Sequence, residues 1–286
     1  MRDNPWLDRR IVNFAHQGGS FEAPSSTLHA IANGLQAGAT AIELDVHATK
    51  DRRLVVCHDE TVDRTTNGAG EIADLTLQEI RSLDNAYNFI EGADVTFGRP
   101  DEDYVLRGRA PEDRTLGVAT LDEVLEAFPG VTLNLDIKRT APAVEPYEAL
   151  LAETLAAHDR RTDVIVASFN DLAITAFRQL SPSTPTSAAT LETADFWRAV
   201  HAHERPKELD VVAFQVPERQ GDLEVVDDLF VEAAHQAGIA VHVWTINDAE
   251  SIARLVDREV DGIISDRPRL VTEILGDAAW DGVITV

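Results

Sequence analysis

The sequence predicts an α/β fold, a (β/α)₈ TIM barrel, and three observations predict it. Short apolar runs rich in β-branched residues alternate with intervals long enough for crossover helices. Charged and polar side chains gather at the C-terminal ends of those runs, where barrels of this kind build their sites. The 286 residues suit one barrel domain.

In chain order the strands are expected over 11–16, 41–47, 54–58, 131–138, 163–169, 184–189, 210–216, 240–245 and 261–265. That is one more than a barrel needs. A parallel crossover takes a dozen or more residues, yet only 48–53 separates the second run from the third. These two are therefore expected as an antiparallel hairpin, which leaves eight barrel strands. Pairing Lys50 with Arg53 across its turn sets Asp45 opposite His58, on one face and about 5 Å apart. The next interval contains a loop over 63–70, a helix over 77–83, irregular chain over 85–115 and a helix over 121–128. The whole chain, 1–286, reads as a single domain. An insertion of about 59–120 forms a small cap over the mouth, following the hairpin after the second strand.

Composition narrows the function classes. The chain is 44% hydrophobic and 26% charged, the balance of a soluble globular protein. Fifty acidic against 25 basic residues give a net charge of −25, which repels nucleic acid and anionic membranes. The same field repels an anionic substrate, so a phosphate site would need a local positive source. Cys57 is the single cysteine, so no intrachain disulfide forms. The first residues lack the apolar stretch of a signal peptide, and no run approaches the roughly 20 apolar residues of a membrane span. The expectation is a cytoplasmic protein without stable membrane insertion or a nucleic-acid partner. No feature assigns an oligomeric state.

His16 ends the first strand, Glu43, Asp45 and His47 alternate along the second, and Asp136 and Lys138 alternate along 131–138. Glu43 and Asp45 point the same way into the barrel. Two such carboxylates repel unless one takes a proton or a cation lies between them. All-oxygen ligands suit one hard divalent ion, Mg²⁺ or Ca²⁺, with Asp136 as a third ligand; the competing reading is an ion pair with Lys138 or a buried arginine. Lys138 would hold phosphate or bridge the acidic cluster, and the two roles can coexist. His16 and His58 titrate where an acid and a base for phosphodiester cleavage must work. His47 is expected to be a solvated hairpin residue, and the remaining histidines structural. Trp244 is either an apolar wall against the substrate or barrel packing.

Phe14-Ala15-His16-Gln17-Gly18-Gly19, Ile42-Glu43-Leu44-Asp45-Val46, Val55-Val56-Cys57-His58-Asp59, Arg64-Thr65-Thr66, Leu133-Asn134-Leu135-Asp136-Ile137-Lys138, Val243-Trp244-Thr245-Ile246-Asn247 and Asp261-Gly262-Ile263-Ile264-Ser265-Asp266-Arg267-Pro268 resemble, in order and spacing, the glycerophosphodiester phosphodiesterase family. The resemblance runs from about residue 11 to 270. It implies a (β/α)₈ barrel with a small insertion that hydrolyses glycerophosphodiesters to glycerol 3-phosphate and an alcohol. It also implies a divalent cation at Glu43, Asp45 and Asp136, with His16 and His58 as the general acid/base pair and Gln17, Lys138 and Trp244 at the substrate. Three positions depart from the family pattern. Gln17 stands for the usual arginine, Ser25 for the usual glutamate, and Asp136 for the commoner glutamate. Gln17 and Ser25 are expected to replace a charged pair by a neutral hydrogen-bonded one. The nearest rival is a lysophospholipase D-type enzyme of the same fold, which an apolar groove along 85–115 would favour, although that stretch is polar. A non-catalytic binding barrel would lack one of the five site residues, and a metal-dependent sugar isomerase would not predict the hairpin histidine.

Overall fold

The barrel strands are apolar on both faces, as a parallel sheet covered by helices requires. A computed structural model describes residues 4–7, 11–138 and 147–276. Its strands are β1 (Val12–His16), β2 (Ala41–Ala48), β3 (Leu54–Val56), β4 (Phe89–Ile90), β5 (Ala93–Val95), β6 (Thr132–Ile137), β7 (Val164–Ala167), β8 (Ala213–Pro217), β9 (Arg219–Gln220), β10 (Leu223–Glu224), β11 (Ala240–Trp244) and β12 (Gly262–Ser265). The helices are α1 (Leu28–Gln36), α2 (Leu77–Arg81), α3 (Leu121–Ala127), α4 (Tyr147–Ala157), α5 (Asp171–Leu180), α6 (Thr190–His201), α7 (Asp228–Ala237), α8 (Ala249–Asp257) and α9 (Pro268–Leu275).

The main sheet runs β7-β6-β2-β1-β12-β11-β8, all parallel, with β3 added antiparallel to β2. The eighth stave, expected over 184–189, is reduced to two bridging residues. Thr186 bridges to Val166 and Ser187 to Ala213, and the Ser187 and Ala188 amides donate to Val166 (3.0 Å) and Ala213 (2.8 Å). Pro185 has no N–H to donate, which keeps a full ladder from forming there.

Side-chain caps start the helices just beyond the strand ends. Thr27, Asn170, Asp227 and Asp248 cap α1, α5, α7 and α8, and Thr76–Glu79 and Thr120–Glu123 form capping boxes on α2 and α3. At the opposite end Trp6, Phe14 and His242 pack as a buried aromatic group. Pro5–Leu7 is a short 3₁₀ turn, anchored by the Asn4 amide on Val212 (2.8 Å) and Gly238 (2.9 Å). It closes the barrel floor.

The expectations around the hairpin need correction. The register pairs Val46 with Val56, His47 with Val55 and Ala48 with Leu54, one residue away from the predicted pairing. A two-residue turn needs a residue pair that accepts positive φ, which Asp51-Arg52 is not. The turn instead spans Lys50-Asp51-Arg52 between Thr49 and Arg53, with Arg52 alone left-handed at φ 61°. Cys57, not His58, therefore faces Asp45, and its amide donates to the Asp45 carbonyl (3.0 Å). Asn85 Nδ2 donates to Ser25 (3.0 Å) and the Gly92 amide to Phe21 (2.7 Å), so the insertion braces the loop after β1.

Candidate active site

Barrel alternation puts Glu43, Asp45 and Asp136 inside the mouth, all three buried. Asp45 and Asp136 lie side by side in register on β2 and β6. Burial first, then the charge of Asp45, raises the Glu43 carboxyl to about 8, and burial raises Asp136 as well. The Lys138 ammonium lies between Asp45 Oδ1 (2.9 Å) and Asp136 Oδ2 (3.1 Å). The ion pair and the acidic cluster thus coexist.

The other oxygens, Asp45 Oδ2 and Asp136 Oδ1, are buried without a hydrogen-bond partner. A buried carboxylate oxygen left unpaired costs on the order of 1–3 kcal/mol or more. Among the described residues no three His, Cys, Asp or Glu side chains are gathered as a ready cage for a metal ion. The donor chemistry nonetheless fits a hard divalent cation: two orphaned carboxylate oxygens next to a third carboxyl that burial leaves short of positive charge.

His16 ends β1 with Nδ1 2.6 Å from Asp266 Oδ1. Ser20 Oγ (2.7 Å) and Asn247 Nδ2 (2.6 Å) hold Asp266 in turn. Burial works against a charged His16, but the Asp266 hydrogen bond and the charges of Glu43, Asp266 and Asp45 raise its pKa to about 9. Its Nε2 lies 3.7 Å from Glu43 Oε2. Sequence reading missed Asp266, although its place just past the end of β12 marks a site position in a barrel.

His58 reaches the mouth by leaving the ladder, since β3 stops at Val56. Its ring meets that of His16 edge-on, with centroids 6.1 Å apart. Asp59 Oδ1 holds its Nδ1 at 2.7 Å, and Arg64 Nε holds Asp59 at 2.6 Å. Burial opposes ionisation of Asp59, but these two partners hold its carboxyl well below the usual range. His47 is buried, contrary to the expected solvated position. Burial lowers its pKa to about 4, and it hydrogen-bonds the main chain of His58. The one-residue register shift tucks His47 under the segment that carries His58.

Gln17 holds a left-handed backbone (φ 54°), leading into Gly18 at φ 84°, where a Cβ would lie 2.8 Å from that of Ala30. The expected neutral pair is present: Ser25 Oγ donates to Gln17 Oε1. The same amide lies 3.2 Å from His16 Nε2. An amide serves either state of the ring, offering N–H to a neutral imidazole or oxygen to an imidazolium.

His16, Glu43, Asp45, His58, Asp136 and Lys138 occupy one side of a cavity of about 960 Å³; Gln17 does not line it. Its other side is mainly apolar, with Phe169, Ala188, Ala194, Trp197, Val216, Pro217, Leu223 and Trp244. Trp244 is thus a wall of the cavity, in edge contact with Phe169 at 5.4 Å. No described residue of the insertion, 59–120, lines it.

The glycerophosphoryl diester phosphodiesterase family model matches residues 16–270. The chain belongs to this family. It is accordingly a phosphoric diester hydrolase. It is 30% identical over 268 residues to a glycerophosphodiester phosphodiesterase of Caldanaerobacter subterraneus subsp. tengcongensis, covering 93% of this chain and 98% of that one. A glycerophosphodiester phosphodiesterase of Bacillus subtilis is 30% identical over 272 residues, covering 93% and 86%. Among solved structures, an Oleispira antarctica phosphodiesterase in complex with the product sn-glycerol-3-phosphate matches with a TM-score of 0.70 at 25% identity, covering 92% of this chain and 95% of that one. Among the described residues no helix is long and apolar enough to cross a membrane.

Proposed function

We propose that this family member hydrolyses glycerophosphodiesters to glycerol 3-phosphate and an alcohol, dependent on a divalent cation, with His16 and His58 as acid and base. One observation carries the reading: two histidine rings, 6.1 Å apart, stand at the edge of a buried carboxylate trio with orphaned oxygens on Asp45 and Asp136. A cation held by Glu43, Asp45 and Asp136 would balance their charge and polarise the phosphoryl oxygens. Mg²⁺ and Ca²⁺ both suit this donor set.

The histidine environments divide the proton work. Asp266 keeps His16 protonated at neutral pH, since its pKa stands at about 9, and an imidazolium can donate to the departing alkoxide. Asp59 fixes His58 by its Nδ1, which assigns Nε2 the part of the base for the attacking oxygen. Lys138, on the cavity wall, would meet the phosphate, while Gln17, buried on Ser25, acts through His16 Nε2. The apolar arm of the cavity, with Trp244, takes the rest of the diester. A cytoplasmic location is supported by the single cysteine, buried Cys57, and the absence of a nucleic-acid partner by the net charge of −25.

The test is glycerol 3-phosphate release from glycerophosphoethanolamine, with and without chelator. Excess EDTA should abolish turnover, and added Mg²⁺ or Ca²⁺ should restore it. Full turnover in EDTA would remove the cation from the mechanism, and no release under any condition would remove the substrate.

A further inference from the structure

Gln17, Ser25, Thr65 and Asn85 are all buried, none of them lines the cavity, and they belong to one hydrogen-bonded path. It starts at His58, whose Nδ1 is held by Asp59 (2.7 Å), which Arg64 Nε holds in turn (2.6 Å). The next residue, Thr65, donates its hydroxyl to Asn85 Oδ1. Asn85 Nδ2 donates to the Ser25 carbonyl (3.0 Å). Ser25 Oγ donates to Gln17 Oε1, and Gln17 Nε2 ends the path 3.2 Å from His16 Nε2. One histidine is thus joined to the other through a residue of the insertion, and every group between them lies off the cavity wall.

The chemistry at the middle of this path demands an amide. The Ser25 carbonyl only accepts, so Asn85 Nδ2 must face it, and Oδ1 is left for the Thr65 hydroxyl. An aspartate there would lack the donor, and a leucine would lack both groups. The strands offer no substitute for this joint: β1 and β3 do not pair with each other, so the sheet alone does not set how the loops beyond them meet. We propose that Asn85 is a positioning residue for both histidines, tying the loop after β1 to the loop after β3 and so setting the 6.1 Å spacing of the His16 and His58 rings. The inference rests on the reading of those two side chains as acid and base. Donor and acceptor must stand at fixed places about one phosphate, and a small displacement of either slows the chemistry. Loss of the joint leaves the cavity wall that binds the diester in place.

The experiment measures kcat and KM for glycerol 3-phosphate release from glycerophosphoethanolamine, with Mg²⁺ or Ca²⁺ present, alongside thermal unfolding. Asn85→Leu removes both bonds at similar volume and should lower kcat by about 10–100-fold, with KM held within about two-fold. Thr65→Val removes one hydroxyl and should lower kcat by about ten-fold, whereas Thr65→Ser keeps the hydroxyl and should keep kcat. Arg107→Ala is the control for a loosened insertion. Arg107 lies over the Tyr87 and Tyr104 rings and donates to Asp101 (2.7 Å) and the Tyr87 carbonyl (2.8 Å), so its loss should lower the unfolding temperature and leave kcat unchanged. An unchanged kcat in Thr65→Val, or a kcat that falls in Arg107→Ala as it does in Asn85→Leu, would overturn the joint. The two Thr65 variants decide the matter where Asn85→Leu does not fold. No release by the unaltered protein, or full turnover in His16→Ala or His58→Ala, would overturn the parent reading instead.

Discussion

The mouth of the barrel has two unlike halves. On the side of β1, β2, β6 and the turn after β3, the ionisable groups that shape the site are held by named partners. Asp266 holds His16, Asp59 holds His58, and Lys138 bridges Asp45 and Asp136. On the side of β7, β8, β11 and α6 the wall is mainly apolar, with Phe169, Trp197 and Trp244 among hydroxyls and amides such as Thr190, Thr193 and Gln215, and part of it is exposed. The difference follows from the forces involved. Proton transfer and charge stabilisation need groups held within a fraction of an ångström, so each requires a second residue to fix it. Apolar burial is non-directional and scales with area, so the other half needs only surface. The insertion braces the charged half, through Asn85 on Ser25 and Arg64 on Asp59, and leaves the apolar half open.

The sharpest way to break this contrast is to remove one histidine. His16→Ala and His58→Ala should each lower kcat by about 10²–10⁴-fold, measured on glycerophosphoethanolamine. Near-full activity in either protein would take that residue out of the proton work.

A smaller effect tests the bracing itself. Asp266→Asn keeps the volume but removes the charge that raises His16, and should reduce kcat by about 10–100-fold. The pH profile distinguishes this from general damage. An acid works only while protonated, so activity falls as pH rises through the His16 pKa, about 9 with Asp266 present. Without that carboxylate the pKa drops and the alkaline limb moves to lower pH. An unmoved limb would assign Asp266 to structure alone.

The smallest expected effect concerns the neutral pair. Gln17 and Ser25 are both buried and hydrogen-bonded, so Gln17→Arg places a cation beside a hydroxyl instead of a carboxylate. It should destabilise by about 1–3 kcal/mol with no gain in kcat/KM, and adding Ser25→Glu should recover most of the loss. Thermal unfolding and kcat/KM of the single and double variants give the coupling directly. Higher activity in Gln17→Arg alone would show that the phosphate lacks positive charge in this chain.

Much of the charged half was legible in the sequence. Glu43 and Asp45 two apart on a strand, Asp136 on the neighbouring strand and His16 at a strand end all follow from period-two alternation and from where barrels place sites. The register of the hairpin was only half legible: Asp51-Arg52 argues against a two-residue turn, but the three-residue turn that replaces it rests on Arg52 taking a left-handed backbone. The same one-residue shift hid the burial of His47 and made Cys57 the neighbour of Asp45. The role of Asp266 was hidden by distance, since 250 residues separate it from His16. The apolar half was almost invisible: Phe169, Trp197, Leu223 and Trp244 come from four different segments with no shared spacing.

By itself the sequence determined the strands, the crossovers and the residues whose charge demands a function, because alternation and loop length act over a few neighbours in the chain. Only the tertiary structure decided which carboxylate serves which histidine, how His58 arrives at the mouth, and that half of the cavity is apolar. Those outcomes depend on barrel closure, which brings distant strand ends within hydrogen-bond and van der Waals reach of one another.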